Sequence, residues 1–357
     1  MSKKIIIGDK VISNDGKPYF IADIAANHDG SLERAYKLIE LAKEAGADAA
    51  KFQNFQAETI VSKNGFDSMG QQLSHQASWK KSVFEVYKDA SLNEDWTPLL
   101  KKKCDEVGIH YMTTPYNLSI VDKVYDYVDA YKIGSGDITW SDMLEKVSKK
   151  DKPIMLATGA SYFSEVERAM NIIKSNNDNI VLMQCNTNYT ASAENYKYIN
   201  LKVLNQYKKS FPYAVLGLSD HTYGHATVLG AIALGARVFE KHFTDDNDRI
   251  GPDHKFSMNP KTWKEMVYEA DLLYESLGDG EKKLEENEKE SVIVQRRSLF
   301  AKKNISAGEV IKAEDLIPLR PIQKDGIEPW NITDIIGKKV KKDIKKDDYI
   351  RKIDLYE

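Results

Sequence analysis

Residues 20–52 read FIADIAANHDGSLERAYKLIELAKEAGADAAKF, and the order of residue types in this stretch decides the fold. It opens on a short apolar run, Phe20–Ala25, and closes on a second, Ala47–Phe52. Between them lies a helical pattern. Ser31 stands where an N-cap belongs, Leu32, Tyr36, Ile39 and Ala42 form one stripe, and Gly46 follows as a stop. Runs that are apolar on both faces are what a parallel strand buried on both sides requires. The stretch is therefore a strand–helix–strand unit.

The unit repeats along the chain. Further runs at His110–Thr114, Ala130–Gly134, Pro153–Ala157, Ile180–Cys185, Ala214–Ser219 and Arg237–Phe243 bring the strands to eight. Asn93, followed by Glu94 and Asp95, opens another helix. Eight such units predict a closed TIM (β/α)8 barrel, an α/β fold. An open doubly wound sheet would carry a Gly-rich phosphate fingerprint after its first strand, and none is present. The first twenty residues read as a hairpin turning at SNDG and plugging the barrel bottom. The segment Asn54–Leu92 is long for a strand-to-helix loop and rich in Gln, Ser and aromatics, a mark of functional loops.

The chain has 357 residues, whereas a barrel uses roughly 250, so a second, small domain is expected. Residues 281–290 are charged and read as helical, and after Arg296 the pattern turns to short β-like runs: SLFAKKNISAGEVI, LIPLRPI, GKKVKKDI. The expected division is a barrel over 1–280, a linker over 281–295 and a mostly-β domain over 296–357, with the boundary near Lys289.

A net charge of -3 with interleaved signs gives no electrostatic case for nucleic acid. Two cysteines, Cys104 and Cys185, cannot make a disulfide framework and point to a reducing compartment. No stretch reads as a signal peptide or approaches the roughly 20 apolar residues of a membrane helix. A cytoplasmic protein is expected.

Barrel enzymes place their chemistry at the C-terminal ends of the strands, and here almost every strand ends in a polar signature: Asp23 with Asn27-His28, Lys51 with Gln53, Thr113-Thr114, Lys132 with Ser135 and Asp137, Thr158-Gly159, Asn186 to Tyr189, Ser219-Asp220-His221, and Glu240-Lys241-His242. One such residue is usually a helix cap. Eight sets converging on one rim are a site. Lys51 and Lys132 lie within apolar runs, where an unpaired ammonium is costly, so each needs an anionic substrate or a carboxylate such as Asp23 or Asp137. Hydroxyls and the exposed amides at GSG and TG suit phosphate oxygens. His221 and His242 end adjacent strands and can meet at one ion; ligand softness alone favours Zn²⁺ or Fe²⁺ over Mn²⁺ or Mg²⁺ and leaves the metal open. His75, His110, His225 and His254 read as surface or packing residues.

The strings IADIAANHDGS, GADAAKFQ, TTPY, YKIGSGD, ATG, GLSDHT and FEKHFTDDNDRIGPDHKFSMNP, in this order, resemble the sialic acid (N-acetylneuraminate) synthase family, and RRSLFAKKNISAGEVIKAEDLIPLRP resembles its C-terminal antifreeze-like (SAF) domain. The likeness spans nearly the whole chain. It implies a transferase that condenses phosphoenolpyruvate with an N-acetylmannosamine-like amino-sugar aldehyde and releases phosphate, and a domain-swapped homodimer. It also implies a divalent ion, Mn²⁺ first with Mg²⁺ or Co²⁺ as substitutes, against the softness argument. Asp23, Lys51, Lys132, His221 and His242 fall at catalytic positions, and the two histidines are the implied metal ligands. Lys51, Thr114, Lys132, Ser135, Thr187 and Ser219 fall where phosphoenolpyruvate is held. Gln53, Tyr189, Asp253 and Arg320 fall where the sugar is held, Arg320 reaching in from the partner's small domain. Three departures stand out: Asp23 where the family has Glu, Ala157 where it has Ser, and Thr187 where it has Asn. They bear on the acceptor more than on the reaction. The alternatives are an acceptor of the legionaminic or pseudaminic type, a 2,4-diacetamido-trideoxyhexose, or a sugar-binding barrel without catalysis.

Overall fold

The computed structural model describes residues 3–190 and 192–357. The chain forms two compact units, one up to Gly278 and the other Asp279–Glu357. In the first, β1 (Lys4–Ile7) and β2 (Lys10–Ser13) make an antiparallel hairpin. Eight parallel strands follow: β3 (Tyr19–Asp23), β4 (Ala49–Asn54), β5 (His110–Pro115), β6 (Tyr131–Ile133), β7 (Ile154–Ala157), β8 (Ile180–Cys185), β9 (Val215–Asp220) and β10 (Val238–His242). They close into a barrel in that order, with β10 hydrogen-bonded back to β3. This is the TIM barrel that the repeated unit predicts.

The helices lie outside the barrel because each buries one stripe. In Leu32–Glu44 the stripe is Ala35, Leu38, Ile39 and Ala42, while the expected Leu32 and Tyr36 are only partly buried at its margin. Ser31 caps this helix, its hydroxyl accepting from the Arg34 amide at 3.3 Å. In Trp96–Val107 the cap differs from expectation: Asp95 occupies the N-cap position without a side-chain bond, and Asn93 Oδ1 accepts the Asp95 amide instead.

The hairpin turns at Gly8-Asp9, with Gly8 in the left-handed region at φ +57, and not at SNDG; Ser13 and Gly16 of that string form a later turn. Gly and Asp are the residues a tight two-residue connection takes, and SNDG lies beyond the paired register. Ile5, Ile7 and Ile12 pack with Tyr19, Ile21, Ala49, Met112, Met155, Val181 and Val238, which project inward from the strand starts. The hairpin thereby closes the N-terminal end of the barrel, so the opposite rim is left for ligands.

The second unit has its own core, including Leu299, Ile305, Ile311, Ile327, Val340 and Ile350. Its β11 (Ser298–Ala301) and β12 (Leu316–Leu319) pair antiparallel. Residues 281–285 are not helical; only Glu286–Glu288, one short turn, and the helix Lys289–Gln295 are. The charged composition there describes solvation and not a helix. No helix among the described residues is long and apolar enough to cross a membrane.

Candidate active site

Strand register sets the site. Side chains alternate along a strand, and β10 pairs with β9 so that Glu240 lies opposite Ser219, while β3 pairs with β4 so that Asp23 lies opposite Lys51. All four point into the barrel near its C-terminal rim. Lys51 Nζ donates to Asp23 Oδ2 at 2.7 Å and to Thr114 Oγ1 at 3.4 Å, and lies 3.9 Å from Glu240 Oε2. Lys132 Nζ donates to Glu240 Oε1 at 2.5 Å, and the Ser219 hydroxyl donates to the same oxygen at 3.2 Å. Two ammoniums and two carboxylates thus share the buried centre.

Glu240 is the partner of Lys132; Asp137 is not. Asp137 sits apart in the turn after β6, where burial pushes its carboxyl up to about 6. Glu240 is visible in the sequence as a polar strand end, but nothing local says which ammonium it meets across the barrel. Burial alone would raise Glu240, yet Lys132 and then Lys51 hold it down to about 2. Burial lowers Lys51 and is outweighed by Asp23 and Glu240, so its pKa ends above the ordinary lysine value. Asp23 accepts from Lys51, from Gln53 Nε2 at 3.0 Å and from the Ala25 amide at 3.1 Å. Its carboxylate is therefore fixed in orientation.

Beside this group lie the two histidines, ring centroids 5.4 Å apart. His221 Nδ1 donates to the Asn186 carbonyl at 2.9 Å, which leaves Nε2 with its lone pair. His242 Nε2 is 3.7 Å from Asp23 Oδ2, and its buried Nδ1 has no hydrogen-bond partner among the described residues. Burial, reinforced by the neighbouring imidazole for His221 and by Lys51 for His242, lowers both to about 3. Both are neutral near pH 7, as metal ligation demands. No set of three or more His, Cys, Asp and Glu side chains among the described residues is arranged to hold an ion. A two-imidazole site whose remaining positions go to water and substrate fits these residues.

The other expected residues fall on the same rim. The Ser135 hydroxyl accepts from the Gly159 amide at 2.9 Å. A Cβ on Gly159 would stand 2.6 Å from Thr187 Cγ2 and 3.0 Å from Ser135 Oγ, so only glycine lets β7, β8 and the turn after β6 approach this closely. Asp253 accepts from the Ala26 amide at 3.3 Å and lies 3.8 Å from His242 Nδ1; burial, then the charge of Asp23, pushes it up to about 7. The Tyr189 ring lies 4.3 Å from that of His221. Arg320 is exposed in the second unit, its Nε donating to the Gln295 carbonyl at 2.7 Å.

A cavity of about 160 Å³ opens over His242, Gln53, Asp253 and Tyr189. The segment between Asn54 and Leu92 supplies half of its lining, with Phe55, Ile60, His75, Trp79, Val86, Tyr87 and Ala90, and Tyr116 adds a further ring. His75, read from the sequence as a surface or packing residue, is half-buried and packs in this wall against Trp79 and Tyr189. The sequence marks the loop as unusual, but which of its aromatics turn inward depends on its short helices Ala57–Ile60, Lys63–Ser68 and Val83–Ala90, set by packing.

A hairpin-plugged barrel carries paired lysines, paired carboxylates and two neutral imidazoles at its open rim, the end at which barrel enzymes hold their chemistry. The NeuB family model matches residues 38–282 and the SAF domain model residues 296–355, and the chain belongs to the NeuB family. It is 36% identical over 341 residues to the N,N'-diacetyllegionaminic acid synthase of Campylobacter jejuni, covering 94% of this chain and 99% of that one. It is 31% identical to the human N-acetylneuraminate-9-phosphate synthase over 333 residues, 93% and 91% of the two chains. Among solved structures, the N-acetylneuraminic acid synthetase of Leptospira borgpetersenii superposes with a TM-score of 0.72 at 27% identity, covering 82% of this chain and 96% of that one.

Proposed function

We propose that this protein is a nonulosonate synthase: it condenses phosphoenolpyruvate with the open-chain aldehyde of an acylamino sugar and releases phosphate. The observation that carries the reading is the charge balance at the rim. Lys51 and Lys132 are matched by Asp23 and Glu240. An entering phosphate ester adds negative charge that these four groups do not offset. A divalent cation on His221 and His242, Mn²⁺ in the first place, would offset it and act as a Lewis acid on the aldehyde oxygen.

This chain's own residues do the rest. Lys51, Lys132, Thr114, Ser135, Thr187 and Ser219 hold the carboxylate and phosphate oxygens, so that C3 of phosphoenolpyruvate faces the aldehyde. A carbon–carbon bond forms from C3, water adds at C2, and the tetrahedral product loses phosphate by C–O cleavage. Asp23, held by three donors, orients Lys51 and takes the proton of the attacking water. Gln53, Tyr189 and Asp253 line the acceptor side, with Arg320 supplied by the partner of a homodimer.

The acceptor pocket favours the second acceptor considered above over plain N-acetylmannosamine. Phe55, Ile60, Trp79 and Val86 put apolar surface on one part of its wall, and that part suits the methyl and acyl groups of a 2,4-diacetamido-trideoxyhexose better than extra hydroxyls. Phosphate release and product mass spectrometry with phosphoenolpyruvate and a panel of 2-acetamido and 2,4-diacetamido hexoses test both parts. The expected outcome is a condensed sugar acid with the highest kcat/KM for a diacetamido sugar. Highest efficiency with N-acetylmannosamine would overturn the acceptor, and sugar binding without phosphate release on any acceptor would overturn the reaction.

A further inference from the structure

We infer that the buried ion pair Asp220–Lys241, which touches no substrate position, is a positioning device that sets the spacing of His221 and His242; the inference rests on the two-histidine metal reading above.

Asp220 and Lys241 are paired residues in the register of β9 and β10, each immediately preceding one of the histidines. Because side chains alternate, they point outward when the histidines point in. Both are almost wholly buried. Lys241 Nζ donates to Asp220 Oδ2 and, at 2.7 Å, to the Thr222 carbonyl. Asp220 accepts further bonds from the Thr222 amide at 3.1 Å, the Thr222 hydroxyl at 2.9 Å and the Thr227 hydroxyl at 2.7 Å. Thr227 belongs to the next helix, Ala226–Ala233. The network therefore ties together the end of β9, the end of β10, the residue after His221 and the following helix.

An apolar pair of similar volume would hold two packed strands about as well as a buried ion pair does. What an apolar pair lacks is direction. The ammonium bridges a carboxylate on one side of His221 and a carbonyl on the other, so it fixes the backbone on both sides of that ligand from the strand that carries the second ligand. His221 is further held by its bond to the Asn186 carbonyl. A two-imidazole site has few protein ligands to enforce its geometry, so the backbone beneath them must do so.

The test is Mn²⁺ titration of metal-stripped full-length protein, followed by the paramagnetic resonance of free ion, with thermal denaturation of the same samples. The double variant Asp220→Asn/Lys241→Met leaves no uncompensated buried charge. It is expected to fold, to bind Mn²⁺ about 10- to 100-fold more weakly, and to lose kcat with little change in KM for phosphoenolpyruvate. Thr227→Val removes one donor and is the milder check should the double variant not fold, with a smaller weakening in the same direction. Wild-type protein that binds no Mn²⁺, or His242→Ala that binds as well as wild type, overturns the metal reading and this inference with it. Binding that His242→Ala abolishes but that the double variant and Thr227→Val leave at wild-type strength overturns the positioning role alone.

Discussion

Glu240 shows what one side chain does at the centre of the barrel. It takes Lys132 and the Ser219 hydroxyl on one oxygen, and its other oxygen has no hydrogen-bond partner among the described residues. Neutralising it leaves two ammoniums facing one carboxylate in a buried space, a change that costs about 3–5 kcal/mol when nothing replaces the lost charge. Phosphoenolpyruvate would replace it. Glu240→Gln is therefore expected to lower the melting temperature of the free protein, and phosphoenolpyruvate is expected to raise that temperature more in the variant than in the wild type. Scanning fluorimetry with and without the ligand reads both. Equal rises would mean that the ligand does not meet these lysines. Lys51, Lys132 and Asp23 are legible at this centre in the sequence, since a lysine inside an apolar run must have a counter-charge, but Asp137, the other carboxylate the sequence offers, sits apart and Glu240 takes its place. The pairing of Lys132 was not legible, because Glu240 comes from the far side of the barrel and reaches it only through closure.

Elements carry the next level. The strand-to-helix rhythm of residues 20–52 exposes the barrel early, because parallel strands buried on both faces and amphipathic helices leave unlike patterns. The hairpin turn is not legible, because SNDG is as good a turn sequence as Gly8-Asp9 and only strand register chooses between them. The segment between Asn54 and Leu92 is the least legible element. Its helix Val83–Ala90 shows an apolar stripe at helical spacing, Val83, Val86, Tyr87 and Ala90, but Phe55, Ile60, His75 and Trp79 reach the pocket from outside that helix and follow no period. Trp79, half-buried in the pocket wall, gives the clearest test. Trp79→Ala is expected to raise KM for the acceptor about tenfold, the equivalent of roughly 1.4 kcal/mol of lost apolar contact. KM for phosphoenolpyruvate should stay put, since the proposed site for that substrate is on the lysines. Steady-state kinetics with each substrate varied in turn would show a shift in both constants if the loop instead shaped the whole site.

At the scale of the molecule, we propose that the site is completed across a dimer, with Arg320 acting on the partner's barrel. Arg320 is exposed, and among the described residues its one hydrogen bond runs from Nε to the Gln295 carbonyl, which leaves its terminal amino groups for another partner. Arg320→Ala and His242→Ala are each expected to be nearly inactive. When the two are mixed and subunits exchange, half the dimers become hybrids, and about one quarter of all sites regain an intact rim and an intact arginine under random exchange. Activity measured after mixing should approach that fraction of wild type. No recovery, with exchange confirmed by mass spectrometry of differently tagged subunits, would place the arginine over its own barrel. A different consequence follows from the seam where Tyr19 of β3 lies beside Val238 of β10. The barrel has no edge once this seam is zipped, but until residue 238 has been synthesised every growing intermediate keeps two open strand edges, one of them at β3 from the outset. A nascent chain stalled in the second half of the barrel is thus a sticky object, and its first strand must wait through more than half the length of the protein for the neighbour that covers it.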